Sequence, residues 1–222
     1  MVLLCQFSQE MVRQRGASIH GEGMKLYVTF TSPYARVARI VVAEKGLAGR
    51  VEIIEAKTRT AGSLYYRVNP SGRVPYLIDD AGVGMEDSQI ICAYLDGLDG
   101  KPRLHPSPDP DWSYRRLEAR ARSMCEGICV WVRTMRLPEN ERSPTTQAHE
   151  AARSERMADY FEAEMAQPLL QDAPNMAQLV LVAGLDFART RGMGDLTAGR
   201  PKLAAWLTRI SAMPSVRATA AP

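Results

Sequence analysis

MKLYVTFTSPYARVARIVVAEKG, residues 24–46, changes its hydrophobic periodicity half-way along. Residues 26–30 are apolar, β-branched or aromatic and predict a strand. In the second half the apolar positions recur at helical spacing, and Gly46 stands just past their end. Pro33 is tolerated in a first helical turn, because its missing N–H would be unpaired there anyway. The stretch therefore predicts a strand that leads directly into a helix, with Ser32 at the helix N-cap.

The composition is that of an ordinary soluble globular protein. The chain has 222 residues, of which 45% are hydrophobic and 24% charged, and its formal net charge is +3. A chain of this length is long enough to bury a sizeable core, in one large domain or two small ones. The balanced charge gives no argument for a nucleic-acid partner, and no apolar run approaches the ~20 residues that span a bilayer. We therefore expect neither nucleic acid nor membrane as a partner.

Cysteine and histidine usage predicts a reducing compartment and no metal site. The four cysteines match neither a zinc pattern nor C-x-x-C. Free thiols without a secretory signal indicate a cytoplasmic location. Cys125 and Cys129, four residues apart on a predicted helix, are expected to be buried small residues rather than redox groups. The histidines, His20, His105 and His149, are scattered, and His105 in a proline-rich segment is expected to be exposed.

Residues 24–98 predict alternating strands and helices. After the first helix, 51–55 forms a second strand, which implies a parallel pair with a right-handed crossover. A polar stretch with a short helix follows, and NPSGRVPYLID at 69–79 then combines a turn with a strand. A hairpin turn and last strand precede a helix at 88–98. The predicted order is βαβαββα.

The second half of the chain predicts helices alone. Residues 97–111 carry four prolines and two glycines and form the clearest linker. An apolar stripe predicts one long helix over 112–136, and a second helix follows after a polar loop. Asn175 with Gln178 three residues later predicts a capping box for a buried helix.

Four separate motifs resemble one known family. Ser32-Pro33-Tyr34-Ala35 is similar to the C-P-Y-C of glutaredoxins with both cysteines replaced, and Thr-Ser-Pro-Tyr resembles the opening of a bacterial cytosolic glutathione S-transferase. Residues 69–77 resemble that family's N-P-x-G-x-V-P-x-L motif, and Asp87-Ser88 its E/D-S pair. P-x-L-x-x-W at 201–206 with Pro214-Ser215 resembles its ending. The chain is identified as a member of this family, with a Ser/Thr-type active site.

The resemblance implies a two-domain α+β fold. Residues 24–97 would form a thioredoxin-like glutathione-binding domain, 98–111 a linker, and 112–222 an all-helical domain. Residues 1–23 would be an N-terminal extension, disordered or a start-site artefact, and the alternative is a segment that packs on the domain or on a partner subunit. The family further implies a homodimer.

The resemblance also implies a glutathione site. It makes Val74-Pro75 a cis peptide whose Val74 backbone pairs with the cysteinyl unit, as an added strand would. Asp87 would meet the γ-glutamyl ammonium and Ser88 its carboxylate, and Arg73 joins this set. The simpler alternatives are a proline at a strand start and ordinary N-capping by Asp and Ser.

Thiol activation is assigned to a hydroxyl at the first helix N-terminus. A thiol near pKa 8.5 is mostly protonated at neutral pH, so a donor to the thiolate, aided by the helix dipole, raises the nucleophile concentration. Ser32 is the first candidate and Thr31 the second. Tyr27, by analogy with tyrosine classes, and backbone amides remain open alternatives.

The predicted function is conjugation of glutathione to a small hydrophobic electrophile, as in detoxification, with glutathione as co-substrate and no metal. The alternatives are a non-catalytic interaction module, like the stringent-starvation-type proteins, and a glutathione-dependent disulfide reductase. The cleft for the electrophile could include Met124, Cys125, Ile128 and Trp131, although core packing is favoured for each of them.

Overall fold

The computed structural model describes residues 23–98, 103–105 and 112–221. Nearly all of the predicted N-terminal extension, with Cys5 and His20, lies outside the described residues. So does most of the predicted linker. The domain boundaries therefore remain predictions at those points.

The first part of the described chain has the predicted βαβαββα order. Its sheet runs β2-β1-β3-β4, with β1 parallel to β2, and β3 antiparallel to both β1 and β4. Leu26 faces Ile53 across one pair and Leu77 across the other. The elements are β1 (Met24–Val28), α1 (Pro33–Glu44), β2 (Val51–Glu55), α2 (Tyr65–Val68), β3 (Tyr76–Ile78), β4 (Gly84–Glu86) and α3 (Ser88–Asp96).

The remainder is helical, as predicted. The long α4 packs against α5 and α7, and α7 in turn packs against α1 of the first domain. None of the described helices is long and apolar enough to span a membrane. The elements are α4 (Ser113–Met135), a short 3₁₀ turn (Glu139–Glu141), α5 (Pro144–Glu164), α6 (Pro168–Gln171), α7 (Met176–Thr190), α8 (Pro201–Ser211) and α9 (Pro214–Ala218).

Helix α1 joins the two domains in one hydrophobic core. Its Val37, Ile40 and Val41 are almost completely buried and belong to a continuous apolar cluster that extends into α4 and α7. The apolar positions of β1 alternate with half-exposed ones, as a strand with one covered face requires. The fold class predicted from the sequence is thus confirmed, and α1 is held from both sides.

Two local predictions need correction. His105 is not an exposed linker residue, because its Nδ1 lies 3.2 Å from a carboxylate oxygen of Asp96 and its ring meets Tyr114 edge-on. The capping box at α7 forms only in part. Asn175 Oδ1 accepts from the Gln178 amide at 3.2 Å, but the Gln178 side chain donates to carbonyls of the preceding loop, such as Leu169 O at 3.0 Å.

Candidate functional site

A cleft opens where the two domains meet. One part of it, called here the α3 half, lies at the start of α3 and has a volume of about 420 Å³. The other, the α1 half, lies at the start of α1 and has a volume of about 630 Å³. Tyr34, Arg73 and Val74 line both halves. The cleft is therefore continuous and falls in the size range of small-molecule sites.

The loop between α2 and β3 is braced by Asn69, which is 3% exposed. Its Nδ2 donates to Arg73 O at 3.0 Å and to Glu86 Oε2 at 2.8 Å, and its Oδ1 accepts from the Ser71 amide at 3.2 Å. Gly72 has φ +66°, and a Cβ there would lie 2.7 Å from the Tyr66 ring. The hydrogen bonds of Asn69 and the positive φ of Gly72 explain the Asn and the Gly of the Asn-Pro-x-Gly pattern. Together they fix the backbone just before Val74.

Val74 lines both halves of the cleft. The Val74–Pro75 peptide bond is cis, as the resemblance implied. Val74 precedes β3, and its N–H and C=O make no hydrogen bond within the described residues. An unpaired backbone donor and acceptor on one residue are suited to an extended peptide that pairs with them as an added strand would.

The start of α3 places Asp87 and Ser88 in the α3 half. Asp87 Oδ1 accepts from the Gln89 amide at 2.7 Å, with Asp87 itself at φ +78°. The Ser88 amide has no acceptor within the described residues, and Ser88 Oγ lies 3.5 Å from Nη1 of Arg122. The Arg122 guanidinium is held by Glu118 at 2.6 Å. An anion bound here would meet an unused helix N–H and a fixed guanidinium.

The start of α1 places Ser32 in the α1 half. Ser32 Oγ accepts from the Ala35 amide at 3.3 Å, which makes Ser32 the N-cap, as predicted. Its own N–H donates to Thr29 O at 3.1 Å. Within the described residues the Tyr34 amide has no acceptor. Two donors, the Ser32 hydroxyl and the Tyr34 N–H, are therefore available at this helix terminus.

The other hydroxyl candidates are placed differently. Thr31 lines the same half of the cleft and is exposed. Tyr27 lies on β1, where its ring packs against Tyr65 with centroids 5.6 Å apart, and it is not among the residues lining either half.

Tyr34, which lines both halves of the cleft, has two buried cysteines of α4 as neighbours. Burial, followed by the neighbouring Cys125, raises the pKa of the Tyr34 phenol, so this hydroxyl stays protonated. The interaction with Cys129 raises the pKa of the Cys125 thiol, and the interaction with Cys125 lowers the pKa of the Cys129 thiol. Both thiols are buried, as predicted, and Cys129 is also among the cleft-lining residues.

Helix α4 supplies the opposite wall with residues that the sequence analysis missed. The apolar candidates Met124, Cys125 and Ile128 belong to the core, each at most 2% exposed, as the core-packing alternative predicted. The wall instead uses the neighbouring, mostly polar positions at helical spacing. They are Ala119, Arg122, Ser123, Glu126, Cys129, Val132, Arg133 and Arg136.

The predicted glutathione-binding residues are thus brought together, because Arg73, Val74, Pro75, Asp87 and Ser88 all line the α3 half. The predicted thiol-activating residues lie in the adjoining α1 half. Among the described residues no group of three His, Cys, Asp or Glu side chains could hold a metal ion.

Comparison with known proteins relates this cleft to one family. Residues 31–98 match the family model "Glutathione S-transferase, N-terminal domain". The chain is 27% identical over 170 residues to the uncharacterized GST-like protein YibF of Escherichia coli K12, covering 76% of this chain and 83% of that protein. It is 26% identical over 216 residues to glutathione S-transferase 2 of Saccharomyces cerevisiae, covering 89% and 91%.

The fold is also shared with a solved structure that holds a ligand. A glutathione S-transferase of Methylobacillus flagellatus KT, crystallised with glutathione bound, superposes with a TM-score of 0.80. The two chains are 25% identical, and the alignment covers 90% of this chain and 100% of the other.

Proposed function

This chain belongs to the glutathione S-transferase family, and from that premise we propose that it binds glutathione, activates its thiol and transfers the sulfur to a small electrophile. The observation that carries the proposal is the free backbone of Val74 between two helix N-termini. Such an arrangement fits a tripeptide with anionic groups at both ends. Glutathione bound to the solved relative from M. flagellatus supports the same ligand.

The γ-glutamyl end of glutathione is assigned to the α3 half. Its carboxylate would accept from the unused Ser88 N–H and the Ser88 hydroxyl, with Arg122 behind them. The free oxygen of Asp87 would accept from the γ-glutamyl ammonium, since only one carboxylate oxygen is used in capping α3. Charge-assisted hydrogen bonds of this kind are stronger than neutral ones.

The positions of the cysteinyl and glycyl units of glutathione follow from the direction of an extended peptide in the cleft. The cysteinyl N–H and C=O would pair with Val74, and the glycyl carboxylate then points away from α3. It would lie in the α1 half, where Arg73 and Arg59 are among the lining residues. This pose brings the sulfur to the start of α1.

Thiol activation is assigned to Ser32. Its Oγ already accepts from the Ala35 amide, so the hydroxyl proton is free to be donated to a thiolate. The Tyr34 N–H and the helix dipole stabilise the same negative charge. Stabilising the thiolate lowers the thiol pKa below about 8.5 and increases the reactive fraction at neutral pH.

The chemical step is then a direct displacement or addition. The thiolate lone pair forms a C–S bond, and the leaving group departs with the electron pair of its broken bond, while the thiol proton passes to solvent. Ser32 and Ala35 carry no thiol, so the protein does not supply the cysteine pair of a dithiol reductase. We further propose that the enzyme is cytoplasmic and homodimeric and acts in detoxification. Light scattering of the purified chain tests whether it is a dimer.

The test is glutathione binding by calorimetry, together with titration of the bound thiol by its ultraviolet thiolate absorbance. The wild type should bind glutathione and lower the thiol pKa, and Ser32→Ala should return that pKa towards 8.5. Ser143→Ala is the matched control, because Ser143 caps α5 in the same way, accepting from the Thr146 amide at 3.2 Å.

Each remaining outcome has one meaning. A lowered thiol pKa that Ser32→Ala leaves intact would transfer the role to Thr31 or to the Tyr34 amide. Absence of binding at millimolar glutathione would overturn the proposed enzyme and leave a non-catalytic interaction module as the better account.

A further inference from the structure

The two halves of the cleft differ sharply in charge. The α3 half is lined by Glu86, Asp87 and Glu126 together with Arg73 and Arg122. Among the described residues, the α1 half is lined by four arginines and by no aspartate or glutamate. These arginines are Arg59, Arg73, Arg133 and Arg136.

Three of the four arginines of the α1 half have no acidic partner in the part of the chain that the structure describes. Within the described residues the guanidinium groups of Arg59, Arg133 and Arg136 form no hydrogen bond or ion pair. Arg73 has an acidic neighbour, since its charge contributes to the lowered pKa of Glu86 after the hydrogen bonds from Ser71 and Asn69. Most of the positive charge in this half is thus without a counter-charge.

A further arginine lies behind the same wall. Arg191 sits over the ring of Phe187, which lines the α1 half, at 5.6 Å from the ring centroid. Its Nε and Nη2 are buried and have no hydrogen-bond partner among the described residues. Burial, and then the positive charge of Arg136, lower the pKa of the Arg191 guanidinium. The two positive charges of Arg136 and Arg191 are close together, and buried donors of Arg191 are unused. This arrangement indicates a place for an external anion.

Glutathione accounts for only part of this charge. In the proposed pose its glycyl carboxylate lies beside Arg59 and Arg73, on the wall formed by the first domain. Arg133 lies on α4 and Arg136 caps its C-terminus, on the opposite wall, where the second substrate must approach the sulfur. Val132, Cys129 and Phe187 add an apolar surface next to them.

We propose that the second substrate is an electrophile with an apolar body and an anionic group, most simply a carboxylate, bound by Arg133 and Arg136. This inference rests on the proposed function of the cleft and names its substrate class. Guanidinium groups bind carboxylate and other oxyanions through paired N–H donors. A purely structural alternative exists, because arginines near the end of α4 also complement its dipole, and the experiment separates the two.

The binding test uses two glutathione conjugates that differ only in charge, S-carboxymethylglutathione and S-carbamoylmethylglutathione. Calorimetry should show the carboxylate conjugate binding about tenfold more tightly than the amide. The double variant Arg133→Gln, Arg136→Gln should reduce this ratio to about one while binding glutathione itself as the wild type does. Arg156→Gln, an exposed arginine on α5 that is not among the cleft-lining residues, is the matched control and should keep the ratio.

The kinetic test uses 4-chloro-3-nitrobenzoate and its neutral benzamide. In both the thiolate attacks the carbon that carries chlorine, a C–S bond forms, and chloride leaves with the electrons of the C–Cl bond. Each kcat/KM is divided by the uncatalysed rate constant. The benzoate should be favoured about tenfold, less so at high salt, and the preference should disappear in the double variant.

The outcomes distinguish the two proposals. If neither glutathione nor its conjugates bind, the proposed function itself fails. If glutathione binds but the amide members of both pairs are bound and used as well as the carboxylates, the proposed substrate class is wrong. The proposed transferase function is then unaffected. A carboxylate preference that survives in the double variant would also overturn the role of Arg133 and Arg136.

Discussion

The guanidinium of Arg36 on α1 donates to the carboxylate of Asp186 on α7 at 2.8 Å. The two side chains are only 5% and 11% exposed, so this ion pair lies inside the contact between the domains. Arg36 also donates to Val216 O at 3.2 Å, in α9. Helix α1 is therefore fixed to the helical domain one turn after its N-cap Ser32, and the position of this proposed thiol-activating residue depends on that contact.

Asp186→Asn should destabilise the protein by about 3 kcal/mol, because removing one partner of a buried ion pair leaves the other charge uncompensated. Chemical denaturation measures the change. Asp159→Asn is the control, since Asp159 pairs with Arg200 but is 68% exposed, and surface pairs contribute about 0–1 kcal/mol. Equal effects in the two variants would show that the Arg36–Asp186 pair does not hold the domains together.

Asn69→Ala should lower both stability and glutathione affinity. The side chain makes three hydrogen bonds that shape the loop before Val74, and its loss leaves Arg73 O and the Ser71 amide without these partners. The expected cost is about 1–3 kcal/mol in the free energy of unfolding. Denaturation and calorimetry on the same samples test this. A stable variant that binds glutathione normally would contradict the bracing role.

Asp87→Asn separates capping from ligand binding. The asparagine oxygen can still accept from the Gln89 amide, so the melting temperature should be nearly unchanged. The negative charge opposite the γ-glutamyl ammonium is lost, so glutathione affinity should fall about tenfold, or ~1.4 kcal/mol. A large drop in melting temperature with unaltered affinity would mean that Asp87 serves the fold alone.

Glu86 should make stability depend on pH in the acidic range. Hydrogen bonds from Ser71 and then Asn69 lower its pKa in the folded state below the ordinary value of 4.5. The unfolded chain therefore binds more protons, and the Glu86 contribution is present above pH 4.5 and is lost as the pH falls through the folded pKa.

The corresponding variant is Glu86→Gln. Its stability deficit relative to the wild type should be largest near neutral pH and should shrink below pH 4.5, because a protonated glutamate resembles glutamine. Glu139→Gln is the control, at an exposed position whose side chain has no hydrogen bond or ion pair within the described residues. A deficit that stays constant with pH would show that Glu86 titrates normally.

Much of the site could be predicted from the sequence because its parts are local. Ser32 caps the helix that follows it, and Asn69 to Pro75 fold on themselves through contacts a few residues apart. The Asp87-Ser88 cap is equally local. Short motifs of this kind specify their own backbone geometry, so they can be recognised without knowledge of the rest of the chain.

The helical wall of the cleft could not be predicted in the same way. The apolar stripe of α4 showed which positions are buried, and Met124 and Ile128 are indeed core residues. The stripe did not show which of the remaining faces would meet the first domain and which would meet solvent. A polar face covering Arg122, Glu126, Arg133 and Arg136 at helical spacing was the available signal.

The sequence by itself determined the order of elements, the fold family and the residues that cap α1 and α3, because each of these depends on neighbours in the chain. Only the tertiary structure decided that Arg133 and Arg136 line the same half of the cleft as Ser32 and that Asp186 pairs with Arg36, since helix rotation and domain contact place these residues. The charge of the cleft arises from side chains brought together across the domain contact, so it is a property of the packed molecule and of no single stretch.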